Sequence, residues 1–305
     1  MIKQDYYFFD DANKEVVFNR HDTPSPWMNY LFNGELFTMM SQSGGNLSWY
    51  KSPEIWRIGR YNFYNLPVDV NGLFVYIKDE STGEVWNPTI IPCDNKPDKW
   101  QSRHGLGYTK FFAEKDGLRV EVKAFIGKDN VLCYDVKLLS ERERKLTLFA
   151  CHEMGLMEYL REVQWQCYCK NSNNILYNEE NDALVYEYFV DMQARPDETP
   201  FVYFCSNKKS ASYSGVRKSF TGNYRDLKNP VAIENGKLPN DELKGGEAMF
   251  SMSFELDLQA NKADTLDIFL GALKPNEDLK ETTDKLRGEN YVEKAFADLN
   301  KTWQD

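Results

Sequence analysis

The sequence predicts a mainly β protein: a large antiparallel two-sheet sandwich followed by helices at its carboxyl end. Three observations carry this. One segment alternates cleanly between apolar and polar residues, many strand-like segments follow one another without helices between them up to Lys274, and the period of the pattern changes after it.

The alternating segment is "GLRVEVKAFIG", in which Leu118, Val120, Val122, Ala124 and Ile126 interleave with Arg119, Glu121, Lys123 and Phe125. Successive side chains of a strand point to opposite faces, so one face is expected to be apolar. Lys115-Asp116-Gly117 just before it is a hairpin signal that folds "GYTKFFAEK" back upon it. Further strands are expected in "NVLCYDVKLL", "KLTLFACHE", "ALVYEYFVDM", "PFVYFCSN", "AMFSMSFELDL" and "ADTLDIFLGAL". This sets a β domain over residues 1–274 and a helical segment over 275–305.

Within the helical segment, "NEDLKETTDKLRG" reads as a short capped helix with acids in its first turn and Gly288 at its end. A second helix is expected in "ENYVEKAFADLNKTWQD", with Tyr291, Val292, Ala295, Phe296, Leu299 and Trp303 as an apolar stripe. It meets no Gly, Asn or Pro terminator, so the stripe is expected to pack on something further along a longer chain. A natural terminus with a fraying last turn is the alternative.

The formal charge of −10, with scattered basic residues, excludes the phosphate-tracking stripe that a nucleic-acid partner requires. No secretory h-region and no run of eighteen apolar residues is present. A soluble, cytoplasmic protein without a membrane partner is therefore expected. Its six cysteines then read as reduced, mostly structural thiols.

Candidate binding residues concentrate in "SQSGGNLSWYKSPEIWRIGRYNFYNLPVDVNGLF", which holds Trp49, Tyr50, Lys51, Trp56, Arg57, Arg60, Tyr61, Phe63 and Tyr64. Flat rings beside guanidinium donors suit sugars or a protein interface, and they equally suit the packing of a long loop. His152-Glu153 with His104 could form an imidazole–carboxylate pair; hydrogen-bonded structural histidines are the alternative. Cys167 and Cys169 would share a face if "QWQCYCKN" were a strand, and no second pair completes zinc-site spacing. Gly105-Leu106-Gly107 reads as a turn into a strand, since P-loop spacing is missing. Nucleophile-elbow and dinucleotide fingerprints are missing as well.

Several of these stretches, in order, resemble the cellobiose phosphorylase family, glycoside hydrolase family 94, formerly glycosyltransferase family 36. They are "YFFDDANKEVVF", "TPSPWMNYL", "SGGNLSWYK", "RIGRYNFYNLPVDVNGLFVYIKD", "GEVWNP", "SRHGLGYTK" and "KSFTGNYRDLKNPVAIENGKL". The resemblance implies the amino-terminal β-supersandwich domain, galactose mutarotase-like in fold, with linker helices leading to an (α/α)6 barrel that lies outside this chain. The family cleaves β-linked glucosides with inorganic phosphate and inversion, an acid from the barrel protonating the leaving oxygen. Phosphate is thus a co-substrate, and neither cofactor nor metal is expected.

No catalytic residue is assigned to this chain on that resemblance. The substrate-binding or interface candidates are Trp49, Tyr50, Lys51, Arg57, Arg60, Tyr61, Arg103 and His104. In the family an arginine after "NFQ" contacts the acceptor sugar; "WQCYCK" stands at that place here, with Lys170 its nearest cation. The implied partners are a β-linked gluco-oligosaccharide, the barrel as a domain or subunit, and a second copy in a homodimer or larger assembly. Two alternatives stay open: a free-standing carbohydrate-binding or assembly protein, and a sugar-modifying enzyme akin to aldose epimerases.

Overall fold

A computed structural model describes residues 6–60, 71–155, 158–188 and 198–304. The chain opens with β1 (Tyr7–Asp10), β2 (Glu15–Phe18), β3 (Met28–Phe32), β4 (Leu36–Ser41), β5 (Asn46–Tyr50), β6 (Leu73–Asp79) and β7 (Val85–Trp86). Five longer strands follow: β8 (Lys99–Gly105), β9 (Tyr108–Lys115), β10 (Leu118–Gly127), β11 (Val131–Ser140) and β12 (Arg144–Glu153). After helix α1 (Tyr159–Cys169) come β13 (Asn173–Asn178), β14 (Ala183–Tyr188), β15 (Phe201–Ser206) and β16 (Ser212–Val216). Two short helices, α2 (Arg217–Thr221) and α3 (Val231–Asn235), lead to β17 (Leu243–Lys244), β18 (Ala248–Leu258) and β19 (Ala263–Leu273). The chain closes with α4 (Leu279–Leu286) and α5 (Tyr291–Gln304).

The strands form an eleven-stranded sheet (β1-β2-β8-β9-β10-β11-β19-β15-β14-β13-β17), a five-stranded sheet (β16-β18-β12-β6-β7) and a three-stranded sheet (β3-β4-β5). Neighbouring strands pair antiparallel throughout. Val120, Val122 and Val136 of the large sheet meet Val75, Leu148 and Phe250 of the five-stranded sheet and Leu31, Met40 and Tyr50 of the three-stranded one in a single apolar core. The expected β sandwich is therefore present, with a small third sheet beside the main two.

The predicted hairpin is formed. Leu118 pairs with Lys115 across a two-residue turn in which Asp116 (φ 49°) and Gly117 (φ 74°) are both left-handed, the combination that matches strand twist. Leu106-Gly107 makes the preceding turn, Gly105 pairing with Tyr108. Asp278 caps α4, its carboxylate accepting the N–H groups of Lys280 (2.6 Å) and Glu281 (3.1 Å).

α4 and α5 cover part of the second face of β10: Phe125, with Cys133 and Phe269, packs against Leu286, Val292, Phe296 and Leu299. Val292 of the α5 stripe is buried on the outer face of the chain's own large sheet, and Tyr291, Ala295, Phe296 and Leu299 are partly buried there. Residues 159–169, containing "WQCYC", form helix α1 instead of a strand, so positions 167 and 169 do not share a face.

Candidate functional site

The loop after β5 folds back on its own strand. Tyr50 N–H donates to the Trp56 carbonyl (2.9 Å) and Ile58 N–H to the Ser48 carbonyl (2.9 Å). It then docks on the end of β12: Arg60 N–H donates to the Glu153 carbonyl (3.1 Å) and Gly155 N–H to the Ile58 carbonyl (2.7 Å). The approach is close enough that a Cβ on Gly155 would lie 2.8 Å from the Gly59 carbonyl oxygen.

This docking brings Arg57 and Arg60 under α1. Arg57 is 2% exposed and ion-paired with Glu162, itself 5% exposed, with its guanidinium 5.3 Å from the Tyr159 ring centroid. Burial pushes Arg57 down to about 10, which leaves it cationic at neutral pH. Arg60 Nε lies 3.9 Å from Glu162 Oε1, and Lys170 Nζ is 2.7 Å from Glu247 Oε1. Arg217 pairs with Glu153 beside them. The hydrogen bond from Lys170 outweighs burial and holds the Glu247 carboxyl below its usual range.

Between Arg60, Glu162, Lys170 and Glu247 lies a cleft of only about 10 Å³, room for one water at most. The cluster is a closed set of ion pairs that fixes α1 on the end of the five-stranded sheet. It can orient charged side chains at a rim. It holds no unpaired cation ready for a sugar or phosphate among these named groups.

The other sequence-predicted residues fall elsewhere. Tyr50 is in the main core at 1% exposure, and Trp56 is buried, so much of the aromatic-basic stretch is packing. Trp49 is stacked on Phe37 (centroids 5.5 Å), and Lys51 faces Glu35 at 3.6 Å. Tyr61, with Phe63 and Tyr64, lies outside the described residues.

Arg103 and His104 stand on β8 of the large sheet. Arg103 donates to Asp10 Oδ2 (3.2 Å), Glu15 Oε2 (2.8 Å) and Gln101 Oε1 (2.7 Å). Burial would raise the Glu15 carboxyl, but Arg103, Tyr108 and Lys110 outweigh it and hold it below the usual range. His104 is 9% exposed, its Nδ1 3.0 Å from Thr109 Oγ1 and its Nε2 3.0 Å from the Trp27 carbonyl. Both residues therefore serve the sheet edge.

The imidazole–carboxylate pair weighed from sequence is not formed. His104 is on β8 and His152 on β12, in different sheets. His152 is fully buried, with no hydrogen-bond partner for either ring nitrogen among the described residues, while Glu153 is engaged by Arg217. The partner sequence reasoning missed is Glu162. Glu162 of α1 and Glu158, the residue before its start, are four apart and both buried, whereas Leu160, Val163 and Trp165 are exposed. The Glu-x-x-x-Glu spacing opposite Arg57 and Arg60 was the available signal.

These buried groups set a pH dependence. Burial pushes His152 down to about 3 and His104 to about 4, against 6.5 for a free imidazole. As pH falls from 6.5 toward 4, the unfolded chain therefore binds two protons that the folded chain refuses, and stability falls. Asp267 opposes this: burial lifts its carboxyl from 3.8 to about 7, so the folded chain gains a proton there first. The net loss is about one proton's worth, roughly 1.4 kcal/mol per pH unit. Thermal melts from pH 7 to 4.5 should show a falling Tm, flatter in His152→Leu and steeper in Asp267→Asn. Parallel profiles for the three proteins would contradict it.

Residues 14–289 match the family described as glycosyl hydrolase 94, supersandwich domain. The chain belongs to this family. It is 28% identical over 309 residues to an N,N'-diacetylchitobiose phosphorylase of Vibrio furnissii, covering 98% of this chain and 37% of that protein. It is 27% identical over 299 residues to a solabiose phosphorylase of Paenibacillus borealis, covering 95% and 38%. A solved structure titled putative kojibiose phosphorylase from human microbiome superposes with a TM-score of 0.52 at 13% identity, over 97% of this chain and 37% of that one, which speaks to fold alone. The supersandwich chain thus spans little more than a third of these phosphorylases. No helix among the described residues is long and apolar enough to cross a membrane.

Proposed function

We propose that this chain is the non-catalytic supersandwich domain of an inverting β-glycoside phosphorylase, acting with an (α/α)6 barrel supplied as a domain or subunit outside residues 1–305. Its role is to support phosphorolysis of a β-linked disaccharide to a sugar 1-phosphate by shaping the sugar cleft and by assembly, including pairing with a second copy. The observation that carries this is the family match, joined to relatives that are phosphorylases some two and a half times longer. The closed cluster supports it: Arg60 and Lys170 are held at a rim by Glu162 and Glu247, positioned without being poised for acid–base work. Inorganic phosphate is the co-substrate on this reading, and the buried free thiols Cys133, Cys151 and Cys205 suit a reducing, cytoplasmic setting.

The relatives' named substrates differ from one another, so cellobiose has no special claim among β-linked disaccharides. A free-standing carbohydrate-binding protein is the second reading, and the exposed Trp165 (54%) under Arg161 favours it. Calorimetric titration of the purified chain with N,N'-diacetylchitobiose and cellobiose separates the two. The domain reading expects no binding at millimolar sugar, and affinity in the micromolar range would overturn it in favour of the second.

A further inference from the structure

The three-stranded sheet turns one face to the core and the other outward. Leu31, Leu36, Met40 and Tyr50 point in. On the outer face two rows of side chains cross the strands, Phe32–Phe37–Trp49 and Tyr30–Met39–Leu47, set by the pairing of β3 with β4 and β4 with β5. Tyr30 is 60% and Phe32 41% exposed, and the other four are half-buried. All six are apolar or aromatic, where an outward face of an antiparallel sheet ordinarily carries polar residues. The edge of the patch is charged, with Glu35 between Lys51 (3.6 Å) and Lys274 (3.2 Å), giving the apolar centre and polar rim of a protein interface.

The ring geometry selects the kind of partner. Phe32 and Phe37 are stacked at 5.7 Å and 10°, and Phe37 and Trp49 at 5.5 Å and 1°. Rings stacked on one another spend their faces within the row and turn their edges outward, whereas stacking on a sugar needs an open face. The row is closed at one end by Trp303 of α5, edge-on to Phe32 at 5.8 Å, so patch and final helix form one continuous surface.

We infer that this face is the docking surface for the part of a family phosphorylase that lies beyond the region matched by this chain. The inference rests on the function proposed above. That part is the larger one, since the chain covers 37% of the Vibrio furnissii phosphorylase, and this face, with two large apolar side chains exposed and four half-buried, is what the chain offers it.

The test co-expresses this chain with the remainder of the Vibrio furnissii phosphorylase and follows association by sedimentation, with hydroxyl-radical footprinting of the aromatic side chains. The expected result is a complex in which Tyr30 and Phe32 lose their reactivity, and a Tyr30→Lys chain that associates at least about tenfold more weakly. Tyr30→Lys and Phe32→Ser should keep the unbound chain's Tm, as changes on a solvent face do. A complex with Tyr30 and Phe32 still reactive, indifferent to both substitutions, overturns the inference and leaves the proposed function standing. Protection of the same rings in a self-associated chain overturns it in favour of a second copy. No association at all counts against the proposed function and the inference together.

Discussion

Replacing Arg57 with methionine should destabilise the protein by about 3–5 kcal/mol, the range for breaking one side of a buried ion pair. The cause is the partner left behind. Glu162 is 5% exposed, and without Arg57 the cation left in its ion-pair cluster is Arg60, whose Nε at 3.9 Å is too distant for a hydrogen bond. Removing both charges is a different perturbation: in Arg57→Met with Glu162→Leu no carboxylate is stranded, and most of the loss should be recovered. Urea denaturation of the two single variants and the double closes the cycle. Since the pair also holds α1 on the end of β12, limited proteolysis of Arg57→Met should cut first within residues 159–169. A loss below about 1 kcal/mol, the value of an exposed pair, would show that the cluster is open to water.

The second large effect is expected from ending the chain after Gly288. Loss of α5 uncovers Tyr108, Phe125, Cys133 and Phe269 on the outer face of the large sheet, together with the Lys123–Asp135 pair (2.8 Å). Exposed aromatic surface of this kind on a sheet favours aggregation, so the shortened chain should be largely insoluble. A milder probe keeps the helix. The Phe296 ring meets Tyr108 at 5.2 Å and Phe125 at 5.3 Å, with Lys123 Nζ 4.4 Å from its centroid. Phe296→Ala should cost about 3 kcal/mol, near the low end for buried aromatic truncation because the ring is only partly covered. A soluble, cooperatively folding chain that ends at Gly288 would contradict the packing described for α5.

How much of this could be read beforehand depends on whether a residue's partners are near it in sequence. The alternation of β10 and the Asp116-Gly117 turn are local signals, and both were legible. The apolar stripe of α5 was legible too, but its partner was not: a strand's alternation does not tell which stretch of its second face a distant helix will cover. The helix α1 was missed for a related reason. Its outward residues are Leu160, Val163 and Trp165, while Glu162 and the preceding Glu158 are buried, an inverted pattern that makes sense only once Arg57 and Arg60 are placed beneath it. In the candidate site, residue type was legible and burial was not. Arg57, Tyr50 and His104 are residues that bind sugars when exposed, and here they are held inside by Glu162, the core and the Trp27 carbonyl.

The central claim, that the supersandwich chain supports phosphorolysis without performing it, is tested most directly by following sugar 1-phosphate formation from N,N'-diacetylchitobiose and cellobiose in the presence of inorganic phosphate. The purified chain of 305 residues should form none above the protein-free control. Sustained turnover by the chain alone, abolished by no contaminant-directed control and scaling with its concentration, would contradict the account.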